Sequence, residues 1–386
     1  MISTRPSVCF VAPACYPVLA GDRRLQFAGG AEVQQSLIAR ALAARGYRVS
    51  MISMNYGQRE GDVIDGVRLL TMHAPDEGVP VLRYLHPRLT SVWRALARAD
   101  ADVYYQRTCG ALTGFVAAFA RRHGRVSLFA GAHDADFEPD LSLIRYARDR
   151  AVYRWGVRRV DRVIVQTERQ RRLCRDTFGR DAVRIDSCYA HRGRPAAHGG
   201  VILWVANAKR HKRPHLFLDL AASLPQYRFR LVGGPAGGGH ERTYFDALQR
   251  RAATLANVEM TGFVPLVDIE RHFDGAALFV NTSVGEGFPN TFLQAWSRGI
   301  PTVSFFDPQV ECDGRPVAIV APDADTMRVR AEALMSDRAL WQTTSQRALR
   351  AFEQRYSVGR AIDAYERVID SVLARRGEQQ LRGEPA

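Results

Sequence analysis

Apolar positions along this chain form two alternating patterns: short continuous runs, and longer stretches at helical spacing. Val8–Ala12 is a continuous run, as expected of a strand covered on both faces. Beyond Pro13 and Pro17, Val33, Leu37, Ile38, Ala41 and Leu42 recur at helical spacing, and Gly46 closes that segment. A strand over Arg48–Met54 follows. The same reading predicts strands near Val67–Thr71, Val103–Gln106, Val126–Ala130, Val163–Thr167 and Val183–Ile185. Helices are expected between them, near Tyr84–Ala99, Ala111–Arg122, Ser142–Val160 and Glu168–Phe178.

Asp186–Gly200 contains Pro195 and two closing glycines and lacks periodicity, so it reads as a linker. The alternation then restarts. Strands are expected at Val201–Val205, Tyr227–Val232, Val258–Thr261, Leu278–Thr282 and Val317–Val320, with helices between. Three helices, Ala324–Met335, Arg338–Arg355 and Val358–Ala374, end the chain before a polar tail. The expected division is a first domain over 1–190, a linker over 191–200 and a second domain over 201–355. Residues 356–386 form a helix packing back on the first domain, plus the tail. Two such runs predict an α/β protein of two doubly wound, Rossmann-like domains. Neither run carries GxGxxG or GxxxxGK[ST], which counts against a dinucleotide oxidoreductase and a P-loop ATPase.

Composition changes this picture little. At 386 residues the chain exceeds what one hydrophobic core usually supports. An apolar fraction of 46% and a charged fraction of 24% are those of a globular protein. No apolar run reaches the roughly 20 residues that span a bilayer, and the protein is expected in the cytoplasm. The cysteines at 9, 15, 109, 174, 188 and 312 are scattered, without zinc spacing, so no metal and no other cofactor is expected.

Charge changes it more. The formal net charge is +14, almost all of it arginine, and the density peaks between Arg145 and Arg184. Such a surface suits anionic lipid or phosphorylated small molecules; nucleic acid is not expected. The basic helices around Tyr146–Arg162, with Tyr153 and Trp155 between arginines, make an anionic membrane surface a candidate partner. Peripheral attachment to the inner membrane face is the matching expectation.

The most informative stretch is Val280–Val303. A strand breaks at Gly285, the loop Gly285–Asn290 follows, and a helix is expected over Thr291–Arg298 before Gly299 and Pro301. The loop lies at the carboxyl end of the sheet, where open α/β proteins bind ligands. Backbone N–H groups at the helix start suit phosphate. Glu286 and, eight residues on, Gln294 flank that position. Near the amino terminus Gly29–Gly30–Ala31–Glu32 opens a helix after a strand, and a basic loop runs from Asn207 through Lys209, Arg210 and Lys212 to Pro214.

Taken together, these residues resemble the retaining glycosyltransferases of family 4, which have the two-domain GT-B fold. The resemblance covers nearly the whole chain. It rests on Gly29–Glu32, Val163–Glu168, Leu203–Val205 through Lys212–Pro214, and Glu286–Phe288 with the segment behind it. It implies two Rossmann-like domains facing a central cleft and transfer of a sugar from a nucleotide diphosphate donor to a glycan or lipid-linked acceptor. Retention of anomeric configuration and a place in polysaccharide or glycoconjugate synthesis are implied too. Glu286 then holds donor-sugar hydroxyls, with Gly287, Phe288, Pro289, Asn290 and Thr291 beside sugar and diphosphate. Lys212, with Lys209 or Arg210, neutralises the diphosphate. Gly29 and Gly30 approach the phosphates, and His133 approaches the donor sugar. Asp134 orients His133 or meets an acceptor hydroxyl. His133–Asp136 contains Asp-x-Asp, a metal signature of another glycosyltransferase fold, but no metal is read into it.

Two positions depart from the family pattern. Gln294 stands where a second glutamate usually accepts from the nucleotide ribose, and Asn207 where an arginine often sits. An epimerase or phosphorylase of the same fold, or a non-catalytic nucleotide-sugar-binding homologue, are the alternative readings.

Overall fold

The structure is a computed structural model that describes residues 5–23, 29–78, 85–190, 193–235 and 239–381. Parts of the predicted linker (191–192), of the glycine-rich loop after Val232 (236–238) and of the polar tail (382–386) lie outside the described residues. The chain divides into two compact units. One holds Gly29–Ser187, the chain's first residues and its last helix; the other holds Cys188–Ser357.

The first unit contains β1 (Ser7–Val11), β2 (Arg48–Ser53), β3 (Val63–Ile64), β4 (Val67–Thr71), β5 (Val103–Arg107), β6 (Val126–Ala130), β7 (Arg162–Val165) and β8 (Ala182–Arg184). They form one sheet in the order β3-β4-β2-β1-β5-β6-β7-β8, parallel except for the β3–β4 pair. Its helices are α1 (Tyr16–Leu19), α2 (Gly30–Ala44), α3 (Thr90–Ala99), α4 (Ala111–Arg122), α5 (Ala147–Arg159) and α6 (Glu168–Phe178). The central strands are buried along their whole length, as parallel strands covered on both faces must be. The strand order reverses between β1 and β5, the crevice position of a doubly wound sheet. α4 and α5 cross closely because both carry glycine there. A Cβ on Gly156 would stand 2.6 Å from the backbone of Gly114, and one on Gly114 2.6 Å from the carbonyl oxygen of Val152.

In the second unit β9 (Val201–Val205), β10 (Phe229–Val232), β11 (Val258–Gly262), β12 (Ala276–Asn281), β13 (Thr302–Ser304) and, after a small β14–β15 hairpin (Glu311–Cys312, Arg315–Pro316), β16 (Ala318–Val320) are found. The large sheet runs β11-β10-β9-β12-β13-β16, all parallel. Side chains alternate across it. Ile202 and Trp204 join one core with α7 (Pro214–Ser223), α8 (His240–Ala252) and later α11 (Ala324–Ser336). Leu203 and Val205 join the other with α9 (Leu266–Phe273), α10 (Asn290–Trp296) and α12 (Arg338–Ala351). The reversal of strand order falls between β9 and β12.

The last helix, α13 (Val358–Leu381), belongs to the first unit and runs seven residues past its expected end at Ala374. Its Asp363 and Glu366 pair with Arg45 at 2.9 and 3.0 Å, and the ring of Tyr365 packs edge-on against that of Tyr105. The segments entering and leaving the second unit run side by side: the Tyr189 N–H donates to the Tyr356 carbonyl at 2.9 Å. Among the described residues no helix is long and apolar enough to cross a membrane. Five of the six cysteines are buried, and burial pushes the Cys9 thiol up to about 12.

Candidate active site

Lys212 and Glu286 come from two loops that leave the carboxyl ends of the adjacent parallel strands β9 and β12, at the reversal point of the second sheet. The sequence assigned them to different parts of one ligand, and the structure joins them in an ion pair. Each is largely shielded, with side-chain exposures of 19% and 16%. Ser283 Oγ also donates to Glu286 Oε1, at 2.7 Å.

The loop that carries Lys212 is clamped to the loop that carries Glu286. Thr282 Oγ1 donates to the Lys212 carbonyl at 2.6 Å and accepts from Trp204 Nε1 at 2.9 Å. Arg213 Nε donates to the Thr282 carbonyl at 2.8 Å, and Val284 N–H donates to the His211 carbonyl at 3.2 Å. Arg213 takes up a left-handed conformation, φ +48°, immediately before Pro214 opens α7. Burial, followed by the Lys212 charge, holds His211 below the usual imidazole range. Arg210 lies over the Tyr244 ring, 4.8 Å from its centroid. Asn207 accepts the Lys209 N–H at its backbone carbonyl, 2.8 Å, in the turn before these cations.

Gly287, Phe288 and Pro289 continue the loop, and Asn290 and Thr291 begin α10 one residue earlier than expected. Phe288 stacks on Tyr356 with centroids 5.2 Å apart, which ties the loop to the core. Pro289 caps the helix but donates nothing. Gly299, φ +72°, turns the chain after it.

Gln294 is 6% exposed. Its Nε2 donates to Glu270 Oε1 at 2.7 Å and to the Tyr189 hydroxyl at 3.2 Å. Tyr189 in turn donates to the same carboxylate oxygen. Arg298, fully buried, holds Glu270 Oε2 at 2.8 Å and Asp274 Oδ1 at 3.0 Å. The carboxylate expected at 294 therefore has a counterpart on the neighbouring helix. Glu270, Tyr189 and Arg298 were missed in the sequence. The available signal is two pairs at four-residue spacing, Glu270/Asp274 and Gln294/Arg298, at the ends of α9 and α10.

In the first unit Gly29 caps α2 in an extended conformation, and a Cβ there would fall 2.2 Å from the Glu32 carboxylate. Burial pushes the Glu32 carboxyl above its ordinary range. Gly30 is the first residue of α2. His133 sits exposed after β6, and its Nδ1 accepts the Ala135 N–H at 3.1 Å. In the neutral ring the proton then resides on Nε2. Asp136 Oδ2 accepts from the backbone N–H groups of Ala132 and His133 at 2.6 and 3.1 Å, which fixes the loop that carries His133. Asp134 instead pairs with Arg169 at 3.0 Å, leaving Oδ1 buried without a partner.

The order of these sites along two doubly wound units matches known families. A glycosyl transferase 4-like domain profile covers residues 29–191, and a glycosyl transferases group 1 profile covers 199–337. The chain belongs to the GT-B glycosyltransferases. It is 27% identical over 332 residues to D-inositol 3-phosphate glycosyltransferase of Mycobacterium bovis, covering 76% of this chain and 66% of the relative. To the Mycobacterium leprae protein of the same name it is 29% identical over 180 residues, which span only 40% of that relative. Among solved structures, sucrose-phosphate synthase from Thermosynechococcus elongatus superposes with a TM-score of 0.77 at 17% identity, over 96% of this chain and all of the other. Anabaena Alr3699/HepE, solved with UDP and glucose, gives 0.74 at 17% identity, over 95% of this chain and all of the other.

Proposed function

We propose that this glycosyltransferase moves a sugar from a nucleoside diphosphate donor to a glycan or lipid-linked acceptor with retention of anomeric configuration. The carrying observation is the shielded Lys212–Glu286 pair at the reversal point of the second sheet. Apart, the two groups match two parts of one ligand: an ammonium for a diphosphate and a carboxylate for sugar hydroxyls. Donor binding exchanges their mutual pairing for those contacts. The HepE structures solved with UDP and with UDP-glucose support a nucleotide-sugar donor.

In this reading the acceptor hydroxyl attacks the anomeric carbon on the side from which the diphosphate departs. The C–O bond to phosphate breaks as the bond to the acceptor forms, and the leaving phosphate oxygen takes the acceptor proton. No protein nucleophile is required, so the protein acts by positioning and by stabilising charge. Lys212, with Lys209 or Arg210, neutralises the diphosphate, and Glu286 orients the sugar. The backbone of Gly287–Thr291 borders sugar and diphosphate, and Gln294 with Glu270 meets the nucleoside. Gly29, Gly30 and His133 contribute from the first unit by resemblance, His133 through Nε2–H. Asp134 is proposed to meet an acceptor hydroxyl, while Asp136 holds the His133 backbone from within the loop. Synthesis of a polysaccharide or glycoconjugate, in the cytoplasm and at the inner face of the membrane, is the matching setting.

A panel of nucleotide sugars tested by thermal shift checks the reading. One donor present at a hundred times its Kd should add about 2.7 kcal/mol of stability. Acceptor addition should then release nucleoside diphosphate, with the product anomer read by NMR. Release without acceptor would point to an epimerase or phosphorylase, and no stabilisation by any donor to a non-catalytic homologue.

A further inference from the structure

Thirteen arginines and five acidic residues lie between Arg145 and Arg184, a net of +8 out of the chain's +14. The arginines of α5 and the turn before it are the unusual part. Among the described residues only Arg148 of this group pairs with a carboxylate, that of Asp149. Arg150 and Arg154 donate to the backbone carbonyls of Ile144 and Pro139. Arg145 and Arg159 lie over the rings of Tyr146 and Trp155, at 5.4 and 5.6 Å. A solvated helix face is normally laced with both signs of charge. This one is not.

The face has an inside and an outside. Tyr153, Gly156 and Val157 are buried, and Gly156 presses against Gly114 of α4. Tyr153 is therefore no part of the surface; its hydroxyl donates to the Asp136 carbonyl at 2.7 Å. Arg148, Ala151, Trp155, Arg158 and Arg159 are all exposed and share an arc of about 100° at 3.6 residues per turn. The preceding turn adds Leu143 and Tyr146, 60% and 51% exposed. Three large apolar side chains thus stand outward among arginines of which, among the described residues, only Arg148 pairs with a carboxylate.

We infer that this face, Leu143, Tyr146 and Trp155 among Arg145, Arg158 and Arg159, docks on the surface of an anionic lipid bilayer. The arginines meet lipid phosphates, the two rings sit at headgroup level, and Leu143 enters the acyl boundary. Charge complementarity selects the occupant, and the protruding leucine favours lipid over a polyanion such as nucleic acid. The inference deepens the membrane setting proposed above but does not depend on sugar transfer.

The test is co-sedimentation of the full chain with vesicles of phosphatidylcholine alone or mixed with phosphatidylglycerol. Binding should require the anionic lipid and be lost at high salt. Each arginine near such a surface contributes about fivefold to partitioning. Arg158→Glu with Arg159→Glu should therefore lower it by at least about twentyfold, and Trp155→Ser with Tyr146→Ser should lower it at equal charge. All four positions are exposed, so thermal midpoint and donor-induced stabilisation should stay at wild-type values, which separates this inference from the donor reading. Hydrogen exchange on the unaltered protein, with vesicles added, should slow within 143–159. No vesicle binding at low salt, binding that both double variants retain, or loss of oligonucleotide binding alone in the variants would overturn the inference.

Discussion

The side-chain amide of Gln294 donates to the carboxylate of Glu270 at 2.7 Å, so the position where a glutamate is expected serves instead to brace one. Replacing Gln294 by Glu, the residue expected at that position, should for that reason harm this protein. The variant loses the amide donor and sets a second carboxylate against Glu270, with Arg298 shared between them. A stability loss of about 1–3 kcal/mol is expected near neutral pH. Repulsion raises the carboxyl pair's pKa, so the loss should grow as pH rises above the ordinary carboxylate range and shrink near pH 5. Thermal melts of both proteins across that range decide it; a variant as stable as the wild type at about pH 8 would contradict the braced arrangement.

Lys212→Ala should lower turnover by about 10²–10³, the scale of losing one fixed charge-stabilising group in a transition state. Lys212→Arg keeps the charge but not the compact ammonium, and should recover only part of it. Glu286→Gln should instead cost mainly sugar discrimination, measured as kcat/KM against a panel of donors. Unchanged kinetics in Lys212→Ala would remove the lysine from the reaction.

Glu32 gives a pH signature independent of catalysis. Its folded pKa is raised by burial, so between the ordinary value and the raised one the folded state holds more protons than the unfolded state. Stability should therefore fall as pH climbs through that window. Glu32→Gln removes the dependence: its stability should match the wild type's below about pH 4 and exceed it at neutral pH. Urea titrations at three pH values would reveal the crossover.

Gly156→Ala brings a methyl to 2.6 Å from the Gly114 backbone. Backbone on both sides cannot yield as a flexible side chain would, and α4 and α5 must separate. A cost of about 1–3 kcal/mol is expected by chemical denaturation. Gly377→Ala on α13, where an added Cβ meets nothing within 4 Å, serves as the control.

The strands were readable because buried parallel strands are continuous apolar runs: Val126–Ala130 and Val201–Val205 were placed to the residue. Helix ends were not. The apolar spacing carries α5 back to Ser142, but the helix starts at Ala147, after turns that follow Leu141, buried with φ +47°. β3 and the β14–β15 hairpin are two-residue strands, too short for any periodicity to register. At the site, the resemblance points to Lys212 and Glu286 one by one. That they pair, and that Asp136 holds the backbone of His133 while Asp134 pairs with Arg169, depends on how separate segments fold onto one another. Local pattern holds no record of that.

The neighbouring course of Tyr189 and Tyr356 has an evolutionary side. The chain leaves the first unit, builds the whole of 188–357 and comes back beside its own point of departure. In genetic terms the second unit is a cassette with both junctions at one place, inserted before a helix that the first unit keeps. Exchanging that cassette between relatives would replace the proposed donor half while leaving the proposed acceptor half, its final helix and its arginine face intact, so the two specificities would be free to diverge separately.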